Sequence, residues 1–309
     1  MSKSTSIKVG VIGGSGLYEI EGIRKLKEVK VKTPFGSPSD AFITGELNGV
    51  SCVFLPRHGR GHRLLPTEIP FRANLWAMKS LGVTHIVSLS AVGSLREEIV
   101  PGHFVVVDQF FDRTRQRPST FFGEGLVAHV VFADPFCPDL RRILVESAQK
   151  VGVTVHDGGT YVCMEGPAFS TRAESNFYRS INGAVIGMTN LQEAKLAREA
   201  EIAYATIAMS TDYDCWHPHH DDVTVDAVLK VMAANVGNAK AVVKEAIPKI
   251  AALGRNSADG ALRSAVLTQR AAVPAAAVRK LAPIVGKYFP ELLKPSPRKK
   301  SAGKKRPAR

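Results

Sequence analysis

Short apolar runs alternate with longer segments of helical periodicity along most of this chain, and this alternation restricts the fold more than any other feature. Seven apolar, β-branched runs predict strands at residues 8–14, 51–56, 85–91, 103–109, 160–166, 184–189 and 203–210. Because these runs are apolar throughout, they predict strands that are buried on both faces. Five amphipathic segments predict helices at residues 67–82, 137–152, 170–181, 191–201 and 224–250. Strands that alternate with helices are typical of an α/β domain in which helices flank a mainly parallel central sheet.

The composition changes after residue 253, which divides the chain into three predicted regions. Residues 1–253 form the α/β domain, and the Ala-rich residues 254–293 predict a helical extension that packs on it. Residues 294–309, "KPSPRKKSAGKKRPAR", contain eight Lys and Arg and no acid, whereas the rest of the chain carries 33 basic against 28 acidic residues. The net charge of +13 is therefore concentrated in a tail whose composition predicts disorder.

Several functional classes are disfavoured by the composition. No apolar stretch reaches the roughly 20 residues that a membrane helix requires, and the N-terminal segment predicts a strand rather than a signal peptide. The four cysteines are widely separated, without a C-x-x-C pair, which favours a reduced, cytoplasmic protein without structural zinc. The basic tail lacks interleaved aromatic residues that would stack on bases, so we expect at most weak nucleic-acid binding through it.

Polar residues stand directly after several of the predicted strands, on the side of an open α/β sheet where ligands bind. They are Ser15 in "GGSGL", Arg57 and His58 in "RHGRGH", Ser90, which the apolar Ala91 follows, Thr189, which the apolar Met188 precedes, and finally Asp212 and Asp214. Hydroxyls, an imidazole and a guanidinium, which offers bidentate hydrogen bonds, together favour a tetrahedral oxyanion such as phosphate. A pocket with an oxyanion at one end and two carboxylates at the other suits a substrate that phosphate attacks.

The segment "STDYDCWHPHHDD" at residues 210–222 is consistent with three kinds of site: a metal site, a pair of general acids, or a reader of a ligand's hydrogen-bonding edge. Its candidate metal ligands are His217, His219, His220, Asp221 and Asp222. Unspaced His and Asp runs in a polar loop are weak indicators of zinc, so we expect no metal. Taken alone, the two aspartates are equally consistent with an ordinary loop after a strand.

Seven motifs across about residues 7–250 resemble, in order and spacing, one branch of a known family. They are "GGSGLY", "TPFGSPSD", "RHGRGH", "SAVGSLREE", "DQFFDRT", "EGPAFSTRAES" and "STDYDCW". The family is that of the trimeric purine nucleoside phosphorylases, in its 5′-methylthioadenosine phosphorylase branch. The resemblance implies a Rossmann-like phosphorylase fold, a homotrimer, and no cofactor besides phosphate as co-substrate. The implied reaction converts methylthioadenosine and phosphate into adenine and 5-methylthioribose 1-phosphate. The family's chains are expected to end near residue 250, which leaves residues 254–309 unexplained by the resemblance.

The resemblance also implies roles for individual residues. The implied phosphate ligands are Ser15, Arg57, His58, Ser90, Ala91 and Thr189, with Ser15 and Ser90 standing where relatives often carry Thr. Met188 is expected against the ribose. The purine is expected to contact Phe169, Ser170, Asp212, Tyr213 and Asp214. The expected apolar wall around the 5′ substituent comprises Val225, Val228 and Leu229, and His129 resembles a residue contributed by a neighbouring subunit.

Cleavage of a glycosidic bond passes through a cationic sugar, and the departing purine must be protonated at N7. Asp212 is the candidate acid, and burial together with Asp214 could raise its pKa. Carboxylate acceptors match the 6-amino donor of adenine, whereas a 6-oxopurine would require a donor. Two alternatives remain: a related phosphorylase acting on methylthioinosine or 6-oxopurine nucleosides, and a nucleic-acid-associated protein acting through the basic tail.

Overall fold

All seven predicted strands and all five predicted helices are present in the computed structural model of the chain, which describes residues 7–14, 19–218 and 225–294. The strands are β1 (Val9–Gly13), β2 (Arg24–Val29), β3 (Phe42–Leu47), β4 (Val50–Pro56), β5 (His85–Ser94), β6 (Phe104–Val106), β7 (Gln109–Arg113), β8 (Val155–Asp157), β9 (Thr160–Met164), β10 (Gly183–Gly187) and β11 (Ala203–Asp212). The helices are α1 (Phe71–Ser80), α2 (Pro138–Lys150), α3 (Arg172–Ser180), α4 (Asn190–Glu199), α5 (Val225–Ala251), α6 (Ala275–Lys280) and α7 (Ala282–Val285). Two short 3₁₀ helices lie at Arg270–Ala272 and Pro290–Leu293.

Four strands were not predicted, because none of them is a buried apolar run. Strand β2, "RKLKEV", is exposed along nearly its whole length at the edge of the sheet. Strand β3 is buried only at its two ends, β7 is half-exposed, and β8 has three residues. Edge and partly solvated strands lack the continuous apolar signal that identified the central ones.

The central sheet is mixed rather than uniformly parallel. Its main path runs β2-β3-β4-β1-β5-β10-β9-β7, while β11 pairs with β5 and β6, and β8 pairs with β6. Parallel pairs join β1 to β4 and β5, β5 to β11, and β9 to β7 and β10. The α/β architecture with a large sheet flanked by helices is therefore as predicted.

Strand β5 changes neighbours along one of its edges. Its first half, His85 to Ser88, pairs in parallel with β1, whereas Gly93 and Ser94 pair in antiparallel fashion with β10. On its other edge β5 stays paired with β11 from His85 to Gly93. The stretch between the two neighbours therefore faces a gap in the sheet, at the end where the predicted ligand residues are found.

The sheet is covered on both faces. Helices α1 and α4 contribute Phe71, Leu75, Leu191 and Leu196 to one buried cluster, and helices α2 and α5 contribute to the other through residues such as Leu144. Helix α3 begins at a capping box in which Oγ1 of Thr171 accepts from the backbone N–H of Glu174. These helices fix the strand ends that surround the gap.

Residues 254–293 pack on the same core as α1 and α4. Val278, Leu281 and Val285 are buried in that cluster, and Nε1 of Trp76 in α1 donates to the carbonyl of Lys280 at 3.1 Å. Helices α6 and α7 lie in the segment where a helical extension was predicted. Within the described residues, no helix combines the length and apolar character needed to cross a membrane.

Candidate active site

A cavity of about 430 Å³ opens at the gap beside β5. Nine of the predicted site residues line it: Arg57, His58, Ser90, Ala91, Phe169, Met188, Thr189, Asp212 and Asp214. Other lining residues include Gly93, Thr211, Met164, Met209, Met232, His62, Leu65 and Pro66. The ends of β4, β5, β10 and β11 therefore bring the predicted residues together around one cavity.

Arg57 follows β4 and is 3% exposed. Its Nε donates to Oε1 of Glu193 at 2.5 Å and its Nη2 donates to Oε2 of the same carboxylate at 3.1 Å. Burial opposes the charge of Arg57, but the adjacent Glu193 outweighs it, so the pKa of Arg57 is raised. The edge of the guanidinium that we expected to hold an oxyanion is thus occupied, because the carboxylate of Glu193 accepts from both Nε and Nη2.

His58 is neutral at physiological pH. Burial, partly offset by a hydrogen bond to the Leu64 carbonyl, lowers the pKa of His58 to about 4, and the nearby Arg57 acts in the same direction as burial. Its Nδ1 lies 2.8 Å from that carbonyl oxygen, which can only accept, so Nδ1 carries the proton. Nε2 is therefore an acceptor on the ring that lines the cavity.

The two predicted hydroxyls in the described part of the cavity make only long hydrogen bonds to protein atoms. Ser90 Oγ lies 3.3 Å from the carbonyl of Ala91 and 3.5 Å from Oη of Tyr161. Thr189 Oγ1 lies 3.4 Å from Oδ1 of Asn190. Hydrogen bonds at such lengths are weak, so both hydroxyls can turn toward a ligand.

Asp212 is fixed by two hydrogen bonds at the end of β11. Its Oδ1 accepts from the backbone N–H of Asp214 at 2.8 Å, and its Oδ2 accepts from Oγ1 of Thr211 at 2.7 Å. Burial raises the pKa of Asp212, and the charge of Asp214 acts in the same direction against these hydrogen bonds. Asp212 therefore favours its protonated form more than a solvated aspartate does, which is the direction a general acid requires.

Asp214 lies beside Asp212 in a tight turn. Its φ of +52° is in the left-handed region, which Asp tolerates better than most residues. Burial raises the pKa of Asp214, although the nearby hydroxyls of Ser175 and Ser170 act in the opposite direction. The two carboxyl groups thus form a partly desolvated pair at one end of the cavity.

Arg117 was not singled out by the sequence, yet it supports the cavity from behind. Its Nη1 donates to the carbonyl of Met188 and its Nη2 to the carbonyl of Glu165. Nη1 also lies 3.3 Å from Oε1 of Gln192. One buried guanidinium therefore ties together the ends of β9 and β10 and the start of α4.

Other predicted residues are placed differently. Tyr213 packs against Trp216, with its Oη donating to the carbonyl of Glu97 at 3.1 Å, and it does not line the cavity. Ser170 lies next to the cavity, with Oγ 3.8 Å from Sδ of Met164. His129 lies in the connection between β7 and α2, its N–H donating to the carbonyl of Ala265. Neither Ser170 nor His129 lines the cavity within this single chain.

Some predicted residues lie outside the described part of the chain. Ser15 is one of them, as are His219, His220, Asp221 and Asp222 of the rejected metal cluster. Val225, Val228 and Leu229 belong to α5, but their side chains are not described. Their roles stay predictions.

Two residues that shape the cavity were missed for different reasons. Glu193 sits in the helical segment "LQEAKLAREAE", where a charged residue resembles a solvated helix face, yet it is 1% exposed. Gly93 appeared in the sequence analysis only within the motif "SAVGSLREE", although a Cβ atom there would lie 2.9 Å from Oδ1 of Asp212. Only the three-dimensional arrangement reveals either contact.

The model of the phosphorylase superfamily matches residues 8–248 of the sequence. The chain belongs to this superfamily. It is 60% identical over 281 residues to an S-methyl-5′-thioadenosine phosphorylase of Geobacter sulfurreducens, covering 91% of this chain and 98% of that protein. Since 281 residues exceed the 253 of the predicted α/β domain, the match includes part of the extension, contrary to the expectation that the family's chains end near residue 250.

Solved structures give the same assignment. A methylthioadenosine phosphorylase from an antarctic soil metagenomic library superimposes with a TM-score of 0.87 at 48% identity, covering 91% of this chain and 99% of that one. A mutant adenosine/methylthioadenosine phosphorylase from Schistosoma mansoni, in complex with methylthioadenosine, gives a TM-score of 0.77 at 38% identity and covers 86% and 100% of the two chains. These matches confirm the branch of the superfamily that the seven motifs resemble.

Proposed function

We propose that this phosphorylase cleaves S-methyl-5′-thioadenosine with phosphate, giving adenine and 5-methylthioribose 1-phosphate. One observation carries the proposal: the candidate oxyanion ligands Arg57, His58, Ser90 and Thr189 share a single cavity with the partly buried pair Asp212 and Asp214. The activities after which the relatives are named support the same reaction.

The phosphate end of the cavity combines donors with one acceptor. Arg57 and the hydroxyls of Ser90 and Thr189 donate to phosphate oxygens, and Ser15 is proposed to act with them. Neutral His58 offers Nε2 to the O–H of monohydrogen phosphate. Phosphate held in this way attacks C1′ of the sugar, and its charge stabilises the cationic transition state.

The carboxyl pair serves the purine. As the bond between C1′ and N9 breaks, its electron pair moves into the purine, and Asp212 delivers a proton to N7. The new bond joins a phosphate oxygen to C1′, so the products are adenine and the sugar 1-phosphate. Carboxyl oxygens of Asp212 and Asp214 accept from the 6-amino group, which favours adenine over a 6-oxopurine.

Apolar residues of the same cavity suit the methylthio group. Leu65, Pro66, Met209 and Met232 line it together with Met188 and Phe169, which are proposed to contact the ribose and the base. Val225, Val228 and Leu229 remain proposed members of the 5′ wall. A thioether methyl group gains binding energy from such a lining, whereas a hydroxyl there would lose its hydrogen bonds to water.

We further propose a cytoplasmic homotrimer whose neighbouring subunit contributes His129 to each site. Val127, Val131 and Leu267 are exposed near His129, and an apolar surface of this kind favours contact with another subunit. The division into a catalytic domain of residues 1–253, an extension of residues 254–293 and a basic tail is likewise a proposal. Light scattering tests the trimer: a monomeric mass together with full activity would contradict it.

The decisive experiment measures base release from methylthioadenosine, adenosine, methylthioinosine and inosine, each with and without phosphate. We expect adenine release that requires phosphate and is fastest with methylthioadenosine. Activity should be unchanged in EDTA, because the proposed reaction needs no metal or other cofactor. Preference for the 6-oxopurine nucleosides would favour the related phosphorylase, and absence of phosphate-dependent release from all four would overturn the proposal.

A further inference from the structure

Arg57 is held by a carboxylate that does not itself line the cavity. Glu193 lies in α4, 136 residues further along the chain, and its contact with the guanidinium is buried. The side chains of Arg57 and Glu193 are 4% and 2% exposed, respectively. A buried pair of this kind is not needed for binding an anion, because a guanidinium alone can do that.

The hydrogen bonds of Arg57 leave little of its guanidinium for a ligand. Nε and Nη2 donate to Glu193, Nη2 also donates to Oγ of Ser88 at 2.6 Å, and Nη1 donates to the carbonyl of Leu89 at 3.0 Å. A guanidinium has five N–H groups. Among the described residues, one N–H on Nη1 is therefore left without a partner.

Glu193 is itself fixed by hydroxyl donors. Ser88 Oγ donates to Oε2 at 2.8 Å and Tyr204 Oη donates to the same oxygen at 2.9 Å. Nδ2 of Asn190 lies 2.9 Å from Ser88 Oγ and 3.0 Å from Tyr204 Oη, which orients both hydroxyls. The carboxylate therefore has one position, and it imposes one position on Arg57.

The pair also changes the charge that a phosphate meets. Glu193 neutralises Arg57 at hydrogen-bonding distance, while His58 is neutral. Phosphate is then held by directed hydrogen bonds more than by net charge. This arrangement binds the anion without immobilising it so strongly that it becomes a poor nucleophile.

We propose that Glu193 is a positioning residue for phosphate: it holds Arg57 so that a single Nη1–H points into the cavity beside Ser90. The inference rests on the proposed function, since it assigns the oxyanion to phosphate. It concerns a contact beneath the site rather than any group that touches the substrate.

Glu193→Gln tests this role. The amide keeps the size of the carboxylate but places an NH₂ group where one oxygen accepted from the guanidinium or the hydroxyls. Arg57 is then released from its position, and we expect KM for phosphate to rise about ten- to a hundredfold, the scale of losing hydrogen bonds to a charged group. KM for methylthioadenosine should change by less than about threefold, because Glu193 does not reach the nucleoside end.

A matched control lies on the same helix. Glu199 is also buried, but it accepts from Oγ1 of Thr120 and the N–H of Phe121 and does not line the cavity. Glu199→Gln should leave KM for phosphate unchanged. An equal rise of that KM in both variants would overturn the proposal, because the effect would then reflect general loosening of α4.

Tyr204→Phe covers the case in which Glu193→Gln fails to fold. It keeps the ring and removes one donor to Oε2 of Glu193, and we expect a rise of about two- to tenfold in KM for phosphate. Binding of inorganic phosphate to the full-length variants by calorimetry separates this inference from the proposed function. If the wild-type protein binds phosphate but cleaves no nucleoside, the proposed function is wrong. A weaker phosphate affinity in Tyr204→Phe would still support the positioning role of Glu193. Unchanged or tighter phosphate binding in the folded variants Glu193→Gln and Tyr204→Phe would overturn the positioning role of Glu193.

Discussion

Gly93 lies so close to Asp212 that a Cβ atom added to the glycine would be 2.9 Å from Oδ1 of the carboxyl group. The same Cβ would lie 3.3 Å from Cβ of Asp214 and 3.1 Å from Cγ2 of Ile186. The end of β5 thus determines where the proposed general acid can lie.

The first prediction concerns Gly93→Ala. The methyl group would push Asp212 out of its position, and we expect kcat/KM for methylthioadenosine to fall about a hundredfold, as general acid catalysis typically contributes at least that much. Gly237→Ala in α5 is the control, since among the described residues no atom outside the neighbouring backbone of its own helix lies within 4 Å of its added Cβ. Comparable activity in the two variants would show that Asp212 has room to move.

The second prediction concerns Asp212→Asn. The amide oxygen can still accept from the N–H of Asp214, and the NH₂ group can face the Thr211 hydroxyl, which can rotate to accept. The fold should persist while N7 protonation is lost, so we expect a hundred- to ten-thousandfold loss with methylthioadenosine.

The same variant should shift preference toward 6-oxopurines, because the amide N–H can donate to a 6-oxo group. The measurement is the ratio of kcat/KM for methylthioadenosine to that for methylthioinosine. Asp214→Asn should change this ratio less. If Asp212→Asn leaves both the ratio and the adenine rate unaltered, Asp212 does not serve the purine.

The third prediction concerns the choice of oxyanion. Nε2 of His58 accepts, so it favours an oxyanion that carries a proton, and sulfate has none at neutral pH. We expect sulfate to inhibit only at concentrations far above KM for phosphate. His58→Gln offers an amide N–H in place of Nε2 and should narrow the gap between the inhibition constant for sulfate and KM for phosphate. If the difference between the inhibition constant for sulfate and KM for phosphate is the same in the variant, His58 does not accept a hydrogen bond from the proton of monohydrogen phosphate.

The fourth prediction concerns stability and pH. Burial raises the pKa of Glu199 from 4.5 to about 7, against hydrogen bonds from Phe121 and Thr120. Between pH 4.5 and about pH 7, Glu199 is deprotonated in the unfolded chain but stays protonated in the folded chain. The contribution of Glu199 to the free energy of unfolding is therefore complete below pH 4.5 and is lost as the pH rises to about 7.

Glu199→Gln should therefore remove up to about 3 kcal/mol of the decline in the free energy of unfolding over that range. Urea unfolding of wild type and variant at pH 5 and pH 8 measures the difference, with the exposed Glu98→Gln as control. Parallel pH dependence in wild type and Glu199→Gln would contradict the raised pKa.

The sequence predicted the central strands and the convergence of polar residues at their ends, because both follow from local pattern and from the geometry of parallel sheets. Strand β2 escaped prediction because its residues are exposed and charged. The gap beside β5 also could not be foreseen, since it depends on β1 and β10 meeting the same strand at different heights.

The support beneath the site was hidden for a different reason. The contact of Arg57 with Glu193 spans 136 residues, and that of Arg117 with Met188 spans 71. A single charged residue within a helix or a connection carries no periodic signal that distinguishes a buried partner from a solvated side chain. Such pairs become visible only when the elements are assembled.

The packing of residues 254–293 determines how the folded chain would respond to truncation. Glu201, at the turn before β11, has a fully buried carboxylate that meets Nζ of Lys287 at 2.6 Å and Oη of Tyr288 at 2.5 Å. A premature stop codon after residue 253 would remove both partners and leave that charge facing an uncovered apolar surface. Loss of residues far from the cavity would therefore destabilise the fold that positions the site, although the site residues themselves are retained.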